Sequence, residues 1–121
     1  LRILEIGCAD GGLGALVKER APVHYTGIEI SPDASLAATL LDQVHHRPAA
    51  ELDAEPFDLL LSFHVLEHLP DIQDELAHWR RLLKPTGRLI VEVPHRAGHR
   101  LLINDRHPEH CHQFSAASLA I

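Results

Sequence analysis

The first thirty residues confine this chain to a small set of folds. Leu1-Arg2-Ile3-Leu4-Glu5-Ile6 is an apolar run broken by one carboxylate, ending in the glycine-rich turn Gly7-Cys8-Ala9-Asp10-Gly11-Gly12. A second apolar run, residues 24–30, carries the acid Glu29 near its end. Glycines after a strand let the backbone turn sharply into a helix, whose N-terminus then faces the turn. An acid roughly 20 residues beyond such a turn has the spacing at which a nucleotide-binding βαβ unit meets ribose hydroxyls. Together these features predict a pocket for an adenosine-containing ligand.

The rest of the chain repeats the alternation. Apolar runs at residues 2–6, 24–30, 57–63 and 88–93 read as strands, and three of them are nearly continuous, which suits a parallel sheet covered on both faces. Leu13, Leu16 and Val17 sit at helical spacing after the glycine turn. Ser31 and Pro32 read as N-cap and first residue of a second helix carrying Leu36, Leu40, Leu41 and Val44 on one side. A third helix over residues 71–83 places Ile72, Leu76, Trp79, Leu82 and Leu83 along one stripe, with Trp79 in the core. Lys84-Pro85-Thr86-Gly87 reads as a turn into the next strand. Between residues 45 and 56, Pro48 and the polar content leave room only for a short third strand, at 49–52. The fold class is therefore α/β, a doubly wound, mostly parallel sheet with helices on both faces. Beyond Pro94 the chain turns basic and His-rich, with Arg96, His99, Arg100, Arg106 and His107.

Residues 1–121 have room for a single domain, and the composition, 45% hydrophobic and 23% charged, is that of a globular chain. The pattern reads as the front and middle of a larger domain. A formal net charge of −6 argues against nonspecific binding of nucleic acid. No apolar run approaches the roughly 18 residues of a membrane span, and no signal peptide is visible. Cys8 and Cys111 form no CxxC pair, so a cytoplasmic, reducing setting is expected.

The turn is not a dinucleotide-binding G-x-G-x-x-G, because its third position is Ala9, and Glu5 places a carboxylate beside the glycines. A carboxylate there suits a ligand with cationic groups better than a pyrophosphate. Leu4-Glu5-Ile6-Gly7-Cys8-Ala9-Asp10-Gly11 resembles the first motif of class I S-adenosylmethionine-dependent methyltransferases, with Ala9 in place of the usual second glycine. Gly27-Ile28-Glu29-Ile30-Ser31-Pro32 is similar to their second-strand motif. Phe57-Asp58-Leu59-Leu60-Leu61-Ser62 followed by Val65-Leu66-Glu67-His68-Leu69-Pro70-Asp71 resembles the fourth-strand motif of the small-molecule branch, of the type 11 and 23 kind. Leu83-Lys84-Pro85-Thr86-Gly87-Arg88-Leu89-Ile90 resembles the turn into the fifth strand, and Glu109-His110 through Phe114-Ser115 a later loop.

The resemblance implies a Rossmann-like domain that binds S-adenosylmethionine and methylates a small-molecule acceptor. By the same resemblance, Glu5 and the backbone at Gly7 and Cys8, with Asp10 and Gly11 in the same turn, hold the methionine end. Glu29 takes the ribose hydroxyls and Ile30 packs on the adenine. Asp53, or else Glu51, meets the adenine amino group from the end of the third strand, and backbone near His64 lies beside the sulfonium.

For a hydroxyl acceptor a histidine can remove the proton. His64 and His95 are the leading candidates because ligands sit at the carboxyl ends of parallel strands; His107 and His110 follow in later loops. Glu67 and His68 read as structural residues opening the helix after the fourth strand. His107, His110, Cys111 and His112 match no familiar zinc spacing, so no metal is expected. Two other functions fit the same fold. One is a methyltransferase-like binding domain without catalysis. The other is a nicotinamide-dependent oxidoreductase, against which Glu5 and the turn sequence speak.

Overall fold

A computed structural model describes residues 1–95, 111, 112, 114 and 115. Five strands, β1 (Arg2–Ile6), β2 (His24–Ile28), β3 (Gln43–His45), β4 (Phe57–Phe63) and β5 (Leu83–Glu92), form one sheet in the order β3-β2-β1-β4-β5. Every pairing is parallel. The strand order turns back between β1 and β4, which puts the crevice of a doubly wound sheet above the carboxyl end of β1.

Strand alternation divides the core. Leu4 and Ile6 join Ile28, Leu60, Trp79 and Leu82 in one cluster, while Ile3 joins Tyr25, Leu41 and Leu61 in the other. On the first side lies α3 (Ile72–Leu82), opened by Asp71, whose side chain accepts from the Asp74 amide at 3.1 Å. Ile72, Leu76, Trp79 and Leu82 keep their expected stripe, with Trp79 fully buried, while Leu83, expected in the helix, opens β5. On the other side lies α1 (Gly12–Arg20), and here the expected stripe is rotated. Leu13 and Leu16 are exposed, and Gly14 is the buried residue. A Cβ on Gly14 would stand 2.4 Å from Leu41 and 2.7 Å from the Tyr25 ring, so the helix lies close because a side chain is missing.

The middle of the chain departs further from expectation. α2 is a single turn, Ala34–Ala37, preceded by Asp33 rather than by Ser31 and Pro32. Leu36 and Leu40 are exposed, Leu41 alone is deeply buried, and Val44 belongs to β3. The third strand is thus Gln43–His45, and Ala49–Glu51 is a 3-10 turn. Asp42 explains the early strand: its carboxylate accepts the Tyr25 amide at 2.7 Å and pairs with Lys18 at 2.8 Å, fixing the chain beside β2. Residues 84–87 are a bulge inside β5 rather than a turn before it, since Leu83 pairs with Phe57 and Arg88 already with Leu59. Asp58 staples three strands there, accepting from the Arg2 amide at 2.7 Å and from Lys84 at 2.6 Å.

Candidate functional site

A hollow of about 260 Å³ opens at the carboxyl ends of the central strands. β1 contributes Ile6 and Gly7, β2 contributes Ile28 with Glu29 and Ile30 beyond it, and the segment after β3 contributes Pro48 and Ala49. Val65, Leu69 and Glu75 close it from the β4 side. Gly7 has φ +76°, and a Cβ there would run into Val65 at 2.3 Å. Only glycine allows the turn after β1 to lie this close to Val65, just beyond β4. A wider hollow of about 520 Å³ lies across Ile30 against α2 and β3, but neither Gly7 nor Glu29 lines it.

Glu29 locks the turn to the end of β2. One carboxylate oxygen accepts the Ala9 amide at 2.9 Å and the other the Ser31 amide at 2.7 Å. The first bond holds Ala9 in a left-handed conformation, φ +46°. Ile30, next in the chain, is 71% exposed at the rim.

The other expected residues of the turn do not line the hollow. Alternation along β1 points Ile6 into it and Glu5 to the opposite face of the sheet, where the Glu5 carboxylate accepts the Tyr25 hydroxyl at 2.9 Å. Burial pushes the Glu5 pKa up from 4.5, aided by Asp10 and Glu29 and opposed by the Tyr25 hydrogen bond. The Cys8 thiol is packed against Gly27, and its pKa is pushed up to about 12, first by burial and then by Glu5 and Glu29. It stays a neutral thiol. The amides of Gly7 and Cys8 both donate to the Ile28 carbonyl, at 2.8 and 3.1 Å, so they are already engaged. Asp10 accepts the Gly12 amide at 3.0 Å where α1 begins, and Gly11 is buried against Ala37.

Asp53 is displaced for a simple reason. With β3 ending at His45, the residues that reach the hollow are Pro48 and Ala49. Asp53 lines a separate small hollow with His78 and Arg81. Glu51, the second choice, is exposed in the 3-10 turn and does not line the hollow either.

Beside the hollow, His64 ends β4 with φ +56° and donates its amide to the Glu92 carbonyl at 2.9 Å. Its ring lies between two acids. Nε2 is 3.0 Å from Glu92 Oε1, and Nδ1 is 3.7 Å from Glu67 Oε1. Glu67 does not cap α3, as the sequence suggested. It is 1% exposed, between His64 and His68, and its Oε2 is buried with no hydrogen-bond partner among the described residues. The sequence signal for this arrangement was weak, since Glu92 looked like an ordinary strand residue. His95 forms a β-bridge with Phe114. Cys111 and His112 both donate their amides to the Glu67 carbonyl, at 2.7 and 3.0 Å. His107 and His110 lie outside the described residues. Among the described residues, no group of three or more His, Cys, Asp or Glu could hold a metal ion, and no helix is long and apolar enough to cross a membrane.

A family model described as a methyltransferase domain matches residues 1–120. The chain belongs to that family. The ubiquinone biosynthesis O-methyltransferase of Xylella fastidiosa (strain 9a5c) is 39% identical over 108 residues, which cover 78% of this chain and 42% of the relative. The trans-aconitate 2-methyltransferase of Streptomyces avermitilis is 31% identical over 104 residues, covering 77% of this chain and 39% of the relative. Among solved structures, SAM-bound CalS10, an amino pentose methyltransferase from Micromonospora echinaspora, matches with a TM-score of 0.67 at 26% identity. That match covers 76% of this chain and 42% of CalS10. This methyltransferase domain spans about two fifths of the length of these two curated relatives.

Proposed function

We propose that this methyltransferase domain binds S-adenosylmethionine across Gly7 and Glu29 and directs methyl transfer to a small-molecule acceptor in the cytoplasm. The observation that carries this reading is the charge around the turn. Glu5, Asp10 and Glu29 cluster about the turn, and among the described residues no lysine or arginine lines the adjoining hollow. Such surroundings favour a ligand bearing a sulfonium and an ammonium and oppose a pyrophosphate.

The residues present fit that ligand. A carboxylate offers about four acceptor positions, and Glu29 spends one of each oxygen's on Ala9 and Ser31. The remaining lone pairs are free for the 2′- and 3′-hydroxyls of a ribose. Ile30 offers an exposed apolar surface to a flat base, and Gly7 keeps the floor bare. Glu5 acts from below, as a buried charge under the turn rather than as a direct contact.

S-Adenosylmethionine, when bound, supplies a methyl group activated by its positive sulfur, so alignment is most of what the protein must add. We assign the acceptor as a hydroxyl, in line with the O-methyltransferase relative. His64, 57% exposed and oriented by Glu92, is then the group that takes the hydroxyl proton. His95 is the second candidate.

Calorimetric titration of the whole protein with S-adenosylhomocysteine tests the cofactor assignment. Saturable binding at one site per chain, not displaced by NAD, is expected. An absence of saturable heat would remove the reading.

A further inference from the structure

We infer that the small hollow between α3 and the segment leading into β4 binds a compact α-amino or α-hydroxy acid, at a site separate from the one proposed for the cofactor. About 120 Å³ of space lies there, lined by Asp53 from that segment and by His78 and Arg81 from α3. His78 and Arg81 are three residues apart on the helix and so share one of its faces. Leu52, Leu82 and Ala49 supply apolar walls, and the last two belong to the core. Asp53 and Arg81 are exposed, so the hollow opens to solvent.

The polar groups around this space lack partners within the protein. Opposite charges lining one hollow can pair across it, yet among the described residues no ion pair engages Asp53 or Arg81. His78 Nδ1 is buried with no hydrogen-bond partner, a state that native folds rarely leave unanswered. A guanidinium takes a carboxylate through two parallel N–H donors. A carboxylate such as that of Asp53 accepts from an ammonium or a hydroxyl. One molecule with a carboxylate and a donor on neighbouring atoms therefore answers both charges at once, and His78 Nδ1 can accept or donate according to its tautomer. Phosphate fits less well, because Asp53 opposes its second negative charge. An Arg81 that served only the carboxyl end of α3, above a hollow holding water, would show no such selection.

The test titrates glycine, glycolate and inorganic phosphate separately into the whole protein, as wild type, Arg81→Gln and Asp53→Asn, following the backbone amide resonances of Asp53, His78 and Arg81. Both replaced side chains are exposed, so the fold should be retained, which the thermal midpoint checks. Glycine and glycolate should bind the wild type saturably, with a Kd of about 1 mM. Saturating S-adenosylhomocysteine should displace neither, which separates this site from the larger hollow. Arg81→Gln should weaken both ligands by about tenfold. Asp53→Asn should weaken glycine by a similar factor and glycolate less, since only the ammonium loses a charge partner. Shifts that never saturate, saturable binding unmoved by Arg81→Gln, displacement by S-adenosylhomocysteine, or phosphate binding as tight as glycine overturns the assignment. The two variants decide this site whether or not the cofactor reading holds.

Discussion

At Ala9 the backbone stands at φ +46°, a conformation that costs an L-residue with a side chain about 1–2 kcal/mol. Glu29 holds it there through the Ala9 amide. Ala9→Gly should relieve the strain while giving back some of the gain to unfolded-state entropy, for a net stabilisation of about 0.5–1 kcal/mol. Urea unfolding measures this, and a loss of stability would mean that the turn is not strained at that residue. Glu5 makes an opposite compromise. Its folded-state pKa is raised above the ordinary 4.5, so the folded protein binds the proton more tightly than the unfolded chain. The ionised carboxylate is therefore a liability that develops as pH rises past 4.5 and is absent below it. Glu5→Gln, which still accepts the Tyr25 hydroxyl, should raise the thermal midpoint at neutral pH, and the gain should vanish as the pH falls to 4.5. A variant less stable at neutral pH would contradict this. The cost should appear in ligand affinity, since the variant removes one of the negative charges beneath the turn.

The elements show where sequence reasoning succeeds and where it stops. α3 was legible because Ile72, Leu76, Trp79 and Leu82 carry its packing in large apolar side chains. α1 was misread by about one residue's rotation because its closest contact is made by Gly14, which periodicity treats as empty. The third strand was missed because Val44, its one apolar residue, fits a helical stripe equally well. What decides its place is the long-range bond from Asp42 to the Tyr25 amide. That shift places Pro48 and Ala49 at the hollow and takes Asp53 to a separate one, which no local pattern could have signalled. Gly14→Ala puts the packing explanation to the test. Helix propensity alone predicts a gain of about 1 kcal/mol, but a Cβ overlapping Leu41 and the Tyr25 ring should give a net loss of about 1–2 kcal/mol. Chemical denaturation that showed the gain would mean that α1 does not lie so close to the sheet.

At the scale of the whole molecule, the doubly wound parallel sheet and a pocket at its glycine turn followed from a few signals: continuous apolar runs, a glycine turn and one acid at the right distance. Gly7, Glu29 and Ile30 all line the resulting hollow, while Glu5, Cys8, Asp10 and Gly11 build the turn from behind it. The distinction could not be read from the sequence, because it depends on which face of β1 turns toward the crevice. On the proposed function, direct ligand contact falls to Glu29 rather than Glu5. Glu29→Ala, titrated with S-adenosylhomocysteine beside the wild type and Asp53→Ala, is the most direct measurement of that claim. The variant should bind more weakly by about 1–3 kcal/mol, the loss of charge-assisted hydrogen bonds to the ribose, with Asp53→Ala indistinguishable from wild type. A folded Glu29→Ala that binds as tightly as the wild type would contradict the placement of the ligand.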